Sequence, residues 1–174
     1  MMWLDTHWYL KLLELIKPKA LMIKISVITN NKRWFYFIKD PSNYINRKVK
    51  KLNLGRNLEK NIFFCTLLLS GNKEISKLNK KFRKKNNATD VLSFPFHNKK
   101  NLKKEAKKGK EVYLGDIIVN LNKISDKKKL KNFRLEFNKL WIHGLIHLFG
   151  FDHKQEKDYI KMQKIESNYL SYIQ

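Results

Sequence analysis

His143, His147 and His153 fall within eleven residues near the C-terminal end of the chain, in the run His143-Gly144-Leu145-Ile146-His147-Leu148-Phe149-Gly150-Phe151-Asp152-His153. Four residues are slightly more than one helical turn. A helix here therefore sends the first two imidazoles off one face, one above the other. Gly150 suits the left-handed position that ends a helix, and the reversal after it brings His153 back towards the first two. Three neutral imidazoles converging in this way make a divalent-metal site, best suited to one zinc ion per chain with an open fourth position. A lone histidine on an apolar helix is ordinarily a core or surface residue. Here three of the chain's five histidines are gathered, and burying them without a metal would leave several donors and acceptors to satisfy.

Such an ion lowers the pKa of bound water towards neutrality and polarises a phosphoryl or carbonyl oxygen. Zinc peptidases of the HExxH type carry a glutamate directly after the first histidine as general base. This chain has Gly144 there, which weakens the peptidase reading. Phosphodiester cleavage fits better, given cationic donors for the charge that develops on phosphorus. Arg83, at the end of a lysine-rich helix, reads from its position alone as a solvated charge. Asp152 either orients an imidazole or only shapes the turn. Asp116 and Ser93 read as structural, His97 as a loop residue, and His7 as outside the chemistry. Phe94 and Phe96 read as core residues in preference to base-stacking ones.

The elements that must position these residues follow from periodicity. Residues 3–16 predict an amphipathic helix stopped by Pro18. Residues 22–29 alternate and are β-branched, a first strand. Asp40-Pro41 opens a helix to about Lys51, with Asp40 as N-cap and Tyr44, Ile45 and Val49 inward. The run Ile62–Leu69 is apolar almost throughout, as in a strand covered on both faces. Ser70-Gly71-Asn72 turns into a second helix with Ile75, Leu78 and Phe82 inward, ended by Asn86-Asn87. Residues 89–96 predict a strand that Pro95 confines to a sheet edge. Lys99–Lys110 reads as a solvated basic loop, and residues 113–120 as a fourth strand antiparallel to the third. Ser125-Asp126 caps the way into a long helix from about Leu130 to Phe149. Glu156 to about Ile173 forms the last helix, with Tyr159, Ile160, Met162, Ile165, Tyr169 and Leu170 on its apolar side. The expected fold is α/β or α+β, one mixed four-stranded sheet with about five helices and the metal site on the central C-terminal helix. Residues 22–174 read as one domain and residues 1–21 as an appendage.

Composition narrows the partners. The chain has 38 basic against 15 acidic residues, a net charge of +23, which favours phosphate-rich partners through counterion release. Hydrophobic residues at 43% make it globular. A single cysteine, Cys65, excludes an internal disulfide and fits a reducing compartment or a plain core thiol. No stretch is long and apolar enough to suggest a membrane span, and the first residues lack the features of a signal peptide.

Three blocks of residues carry a family resemblance. The histidine run resembles the HGxLHLxGYDH signature of the YbeY family, endoribonucleases of bacterial ribosomal RNA maturation. Leu78-Asn79, Phe82-Arg83 and Thr89-Asp90-Val91-Leu92-Ser93-Phe94-Pro95-Phe96 are similar to its LN..YR.....TDVLSFPF block. Leu114-Gly115-Asp116-Ile117 is similar to its LGDI strand. The resemblance implies a zinc held by His143, His147 and His153, and Arg83 near the scissile phosphate. It further implies single-strand-specific cleavage in 16S ribosomal RNA 3′-end maturation and ribosome quality control in the cytoplasm, with ribosomal RNA and small-subunit proteins as partners. His97 stands where an acidic residue is common, Phe151 replaces tyrosine, the Lys99–Lys110 segment is unusually basic, and residues 1–21 match nothing in the family. Two rivals are carried forward: a zinc metallopeptidase-like hydrolase, and a non-catalytic ribosome-assembly factor with a structural metal. A structural zinc calls for four protein ligands, and the motif offers three.

Overall fold

The computed structural model describes residues 22–54, 61–109, 111–152 and 156–174. The expected helix at 3–16, His7 and His153 lie outside the described residues. Four strands form one mixed sheet: β1 (Met22–Thr29), β2 (Ile62–Ser70), β3 (Val91–Pro95) and β4 (Glu111–Asn120), in the order β1-β2-β4-β3. β1, β2 and β4 run parallel, and β3 is antiparallel to β4. β3 is an edge, where the missing N–H of Pro95 costs the ladder little. Five α-helices occur among the described residues: α1 (Pro41–Leu52), α2 (Asn72–Arg83), α3 (Lys99–Lys107), α4 (Leu130–Leu148) and α5 (Glu156–Ile173). The expected four-stranded mixed sheet with about five helices is the architecture found.

The main core lies on one face of the sheet. Ile23 and Ile25 of β1, Phe63, Cys65 and Leu67 of β2, and Leu114 and Ile117 of β4 are buried there with α1, α4 and α5. Asp40 caps α1, its Oδ1 accepting from the Asn43 backbone N–H at 2.8 Å. Cys65 is a plain core thiol, its pKa pushed up to about 12 by burial and then by the nearby Asp116 charge. Among the described residues the other face carries only α2, whose Ile75 packs on Leu92 and Ile118 at one end of the sheet. β2 is therefore not covered on both faces: its residues alternate buried and half-buried. The apolar run misled because Phe64, Thr66 and Leu68 are only partly covered on the α2 side.

Other expectations also change. Lys99–Lys107 is a helix and not a loop. Asn98 caps it by accepting from the Asn101 N–H at 2.9 Å, and Leu102 is buried with Ala106 partly packed against the core. One apolar pair at i, i+4 suffices to hold a helix whose other residues are good helix formers. Phe82 does not face inward but is 56% exposed, and α2 ends at Arg83 because Lys84 is left-handed, at φ 58°. The neighbouring Asn79 is buried instead, its amide donating to the Asn87 carbonyl at 2.8 Å. Tyr159 and Ile160 are exposed, since the packed stripe of α5 is Met162, Ile165, Tyr169 and Ile173. Ser125-Asp126 does not cap α4 directly, because the N-cap is Lys129. Asp126 Oδ1 accepts from the Lys128 and Lys129 N–H groups at 3.1 and 3.2 Å, which leads the chain into the helix.

Candidate metal centre

The second half of α4, from Leu140, is apolar almost all round, and its buried Trp141, Ile142, Leu145 and Ile146 pack it between the sheet and α5. Gly144 lets it approach the sheet closely. A methyl group there would lie 2.6 Å from Ile117 Cγ2 and 3.1 Å from Ser93 Oγ. This position thus has no room for the glutamate of an HExxH peptidase, a stronger objection to that reading than its absence from the sequence. Ser93 is the packed strand hydroxyl expected, buried beneath the helix.

α4 ends in a Schellman turn. Gly150, at φ 84°, donates its N–H to the His147 carbonyl at 2.9 Å, and Phe151 N–H reaches the Ile146 carbonyl at 3.4 Å. The same turn brings the Phe151 carbonyl 2.8 Å from His147 Nδ1. A carbonyl can only accept, so Nδ1 carries a proton and Nε2 is the nitrogen turned towards the other imidazole. His143 Nδ1 is held in the same way by Glu166 of α5, at 2.5 Å from Oε1. The two remaining nitrogens, His143 Nε2 and His147 Nε2, face each other at 3.0 Å, and the ring planes stand at 80°.

Two lone pairs aimed at each other over this distance repel unless a proton or a cation lies between them. The donor set fits zinc: two nitrogens of one tetrahedral ion, each about 2.1 Å from the metal, would lie about 3.4 Å apart. A carboxylate or carbonyl on the far nitrogen of a liganding histidine is also the usual arrangement around such an ion. Among the described residues, two imidazoles and no third metal-ligating side chain converge here. His153 lies outside them.

Glu166 was not legible in the sequence. It comes from another helix, 23 residues from His143, and no spacing rule ties it to the motif. Asp152 is exposed on the turn after Gly150. Asp116 has the structural bond expected, accepting from Tyr113 Oη at 2.6 Å, beside the register shift at Gly115. His97 lies in the β3–α3 connection, its ring edge-on to Phe96.

Arg83 is exposed in the last turn of α2. α2 and α4 lie on opposite faces of the sheet, because Leu92 faces Ile75 whereas Ser93 faces Gly144. No contact among the described residues joins Arg83 to the imidazoles. Both borders meet at β3, however. Phe94 touches Phe82, the neighbour of Arg83, with ring centroids 5.0 Å apart, and Ser93 lies against Gly144, the neighbour of His143. Among the described residues no helix is long and apolar enough to cross a membrane.

The chain resembles known proteins along most of its length. The sequence model of the family described as Endoribonuclease YbeY matches residues 28–174. A protein of Pelagibacter ubique named Endoribonuclease YbeY is 39% identical over 154 residues, 87% of this chain and 97% of that relative. One of the same name from Ehrlichia canis is 30% identical over 154 residues, 87% of this chain and 93% of its own length. The solution structure of TM1509 from Thermotoga maritima shares the fold, with a TM-score of 0.51 at 23% identity, over 86% of this chain and 89% of that one.

Proposed function

The chain belongs to the Endoribonuclease YbeY family, and on that premise we propose that it is a zinc-dependent endoribonuclease that cleaves single-stranded RNA in ribosomal RNA maturation. Residues 22–174 are its catalytic domain. The observation that carries the reading is the pair of Nε2 atoms 3.0 Å apart, each on a ring whose other nitrogen is already committed to an acceptor. His143, His147 and His153 would hold the ion. When bound, zinc with an open position supplies a strong Lewis acid and water that is acidic near neutral pH.

The chain's own residues do the rest. Glu166 and the Phe151 carbonyl hold the Nδ1 side of each ring, so that both imidazoles would offer Nε2 to the ion. Arg83, across the β3 edge, would take two non-bridging oxygens of a phosphodiester that runs over that edge. A guanidinium there matches the charge that grows on phosphorus during cleavage. The basic excess draws the RNA, and the 3′ end of 16S ribosomal RNA in the cytoplasm, beside small-subunit proteins, is the substrate this reading favours.

The test compares hydrolysis of single-stranded RNA and of casein by purified protein, with and without a zinc chelator. RNA cleavage that chelation abolishes, with casein left intact, supports the reading. Casein hydrolysis would favour a peptidase. A chelator that unfolds a protein without measurable nuclease activity would favour an assembly factor with a structural metal.

A further inference from the structure

Among the described residues, the sheet face opposite the metal centre is covered by α2 at one end and carries half-buried and exposed aromatic side chains beyond it. Phe64 of β2, Tyr113 of β4 and Phe96, just past β3, form a row across three strands, with ring centroids 5.1 Å apart for the first pair and 5.5 Å for the second. Phe96 is 67% exposed, and Phe94 with Phe82 extends the patch towards α2. The core role expected of Phe96 is therefore wrong, because the strand places it where α2 no longer covers the sheet. Single exposed aromatics are ordinary, but a contiguous row is not. The row survives because the register shift at Gly115 puts Tyr113 and Asp116 on the same open face, joined by their 2.6 Å hydrogen bond.

Charge decides what this face suits. Lys80, Lys81 and Arg83 crowd the last turn of α2, and Lys81 Nζ lies 5.2 Å from the Phe82 ring centroid. On the other side, α3 starts three residues after Phe96 and carries a further series of lysines. Lys99, its first residue, lies against Gly150, at the turn that follows His147. Exposed π-faces between two cationic borders match a strand with bases and phosphates, and a protein partner would have to be both acidic and apolar.

The geometry points to the Phe64–Tyr113–Phe96 row as a base-stacking platform that seats unpaired nucleotides of an RNA passing around the β3 edge from the metal centre, with Phe96 as its most exposed ring. This rests on the nuclease reading for the identity of the strand. It also gives that reading a physical basis for choosing single strands, since duplexed bases offer no free face.

The test measures binding of the full zinc-loaded chain to a labelled phosphorothioate oligoadenylate, which resists hydrolysis, by fluorescence anisotropy. Phe96→Ala is expected to weaken binding about tenfold. Phe96→Leu should do the same, and Phe96→Trp should restore it. An abasic strand of the same length should bind wild type and Phe96→Ala alike. The salt dependence of binding should not change, because no phosphate contact is lost. Circular dichroism checks that the variants are folded. Folded Phe96→Ala that binds as wild type, or that weakens the abasic strand equally, would overturn the platform. So would a change of oligomeric state on light scattering with RNA affinity unaltered, which would mark the face as a protein interface. Wild type that binds through Phe96 yet never cleaves an ordinary oligoribonucleotide would support the platform and contradict the nuclease reading.

Discussion

His143 Nδ1 donates to the Glu166 carboxylate at 2.5 Å, so the orientation of a ring on α4 is set by a residue of α5. The carboxylate fixes the tautomer and makes the far nitrogen a better donor to a cation. Glu166→Ala should lower zinc affinity about 10- to 100-fold. Glu166→Gln keeps an acceptor without its charge and should lose less. Competition with a chromogenic chelator measures both. Equal affinity in wild type and Glu166→Ala would show that the contact plays no part in holding the metal.

Arg83 is solvent-exposed, so its replacement should leave the fold untouched. Arg83→Lys keeps the charge but loses the planar fork that meets two phosphate oxygens. RNA binding should be little changed, while single-turnover cleavage falls about 100-fold. Cleavage at the wild-type rate would remove Arg83 from the reaction.

At Gly144 the backbone of α4 lies close against the sheet. Gly144→Ala would press a methyl group to 2.6 Å from Ile117 Cγ2, an overpacking that costs about 1–3 kcal/mol. Because the neighbouring residue is His143, zinc affinity should fall with the melting temperature. A variant with wild-type melting temperature and zinc affinity would show that the helix moves aside freely.

What the sequence revealed and what it hid divide along physical lines. The i, i+4 histidines, Gly150 and the edge position of Pro95 were legible because each is fixed by local geometry. Glu166 was not, since a tertiary contact between helices leaves no periodic trace. α3 was hidden by its lysines, because a charge run outweighs one Leu102–Ala106 pair by eye although not in energy. The open face of β2 was hidden for the reverse reason. A run such as Phe63-Phe64-Cys65 reads as doubly buried, yet Phe64 is half-buried in the aromatic row and only its neighbours reach the core.

The central claim is that the paired imidazoles bind one ion and leave a coordination position free. Metal content together with zinc-edge X-ray absorption, on wild type, His147→Ala and His153→Ala, tests it most directly. Wild type is expected to hold one zinc per chain with three histidine nitrogens and one light solvent ligand, and both variants to lose the ion. Wild type without metal, a fourth protein ligand closing the sphere, or full zinc in His147→Ala would contradict it.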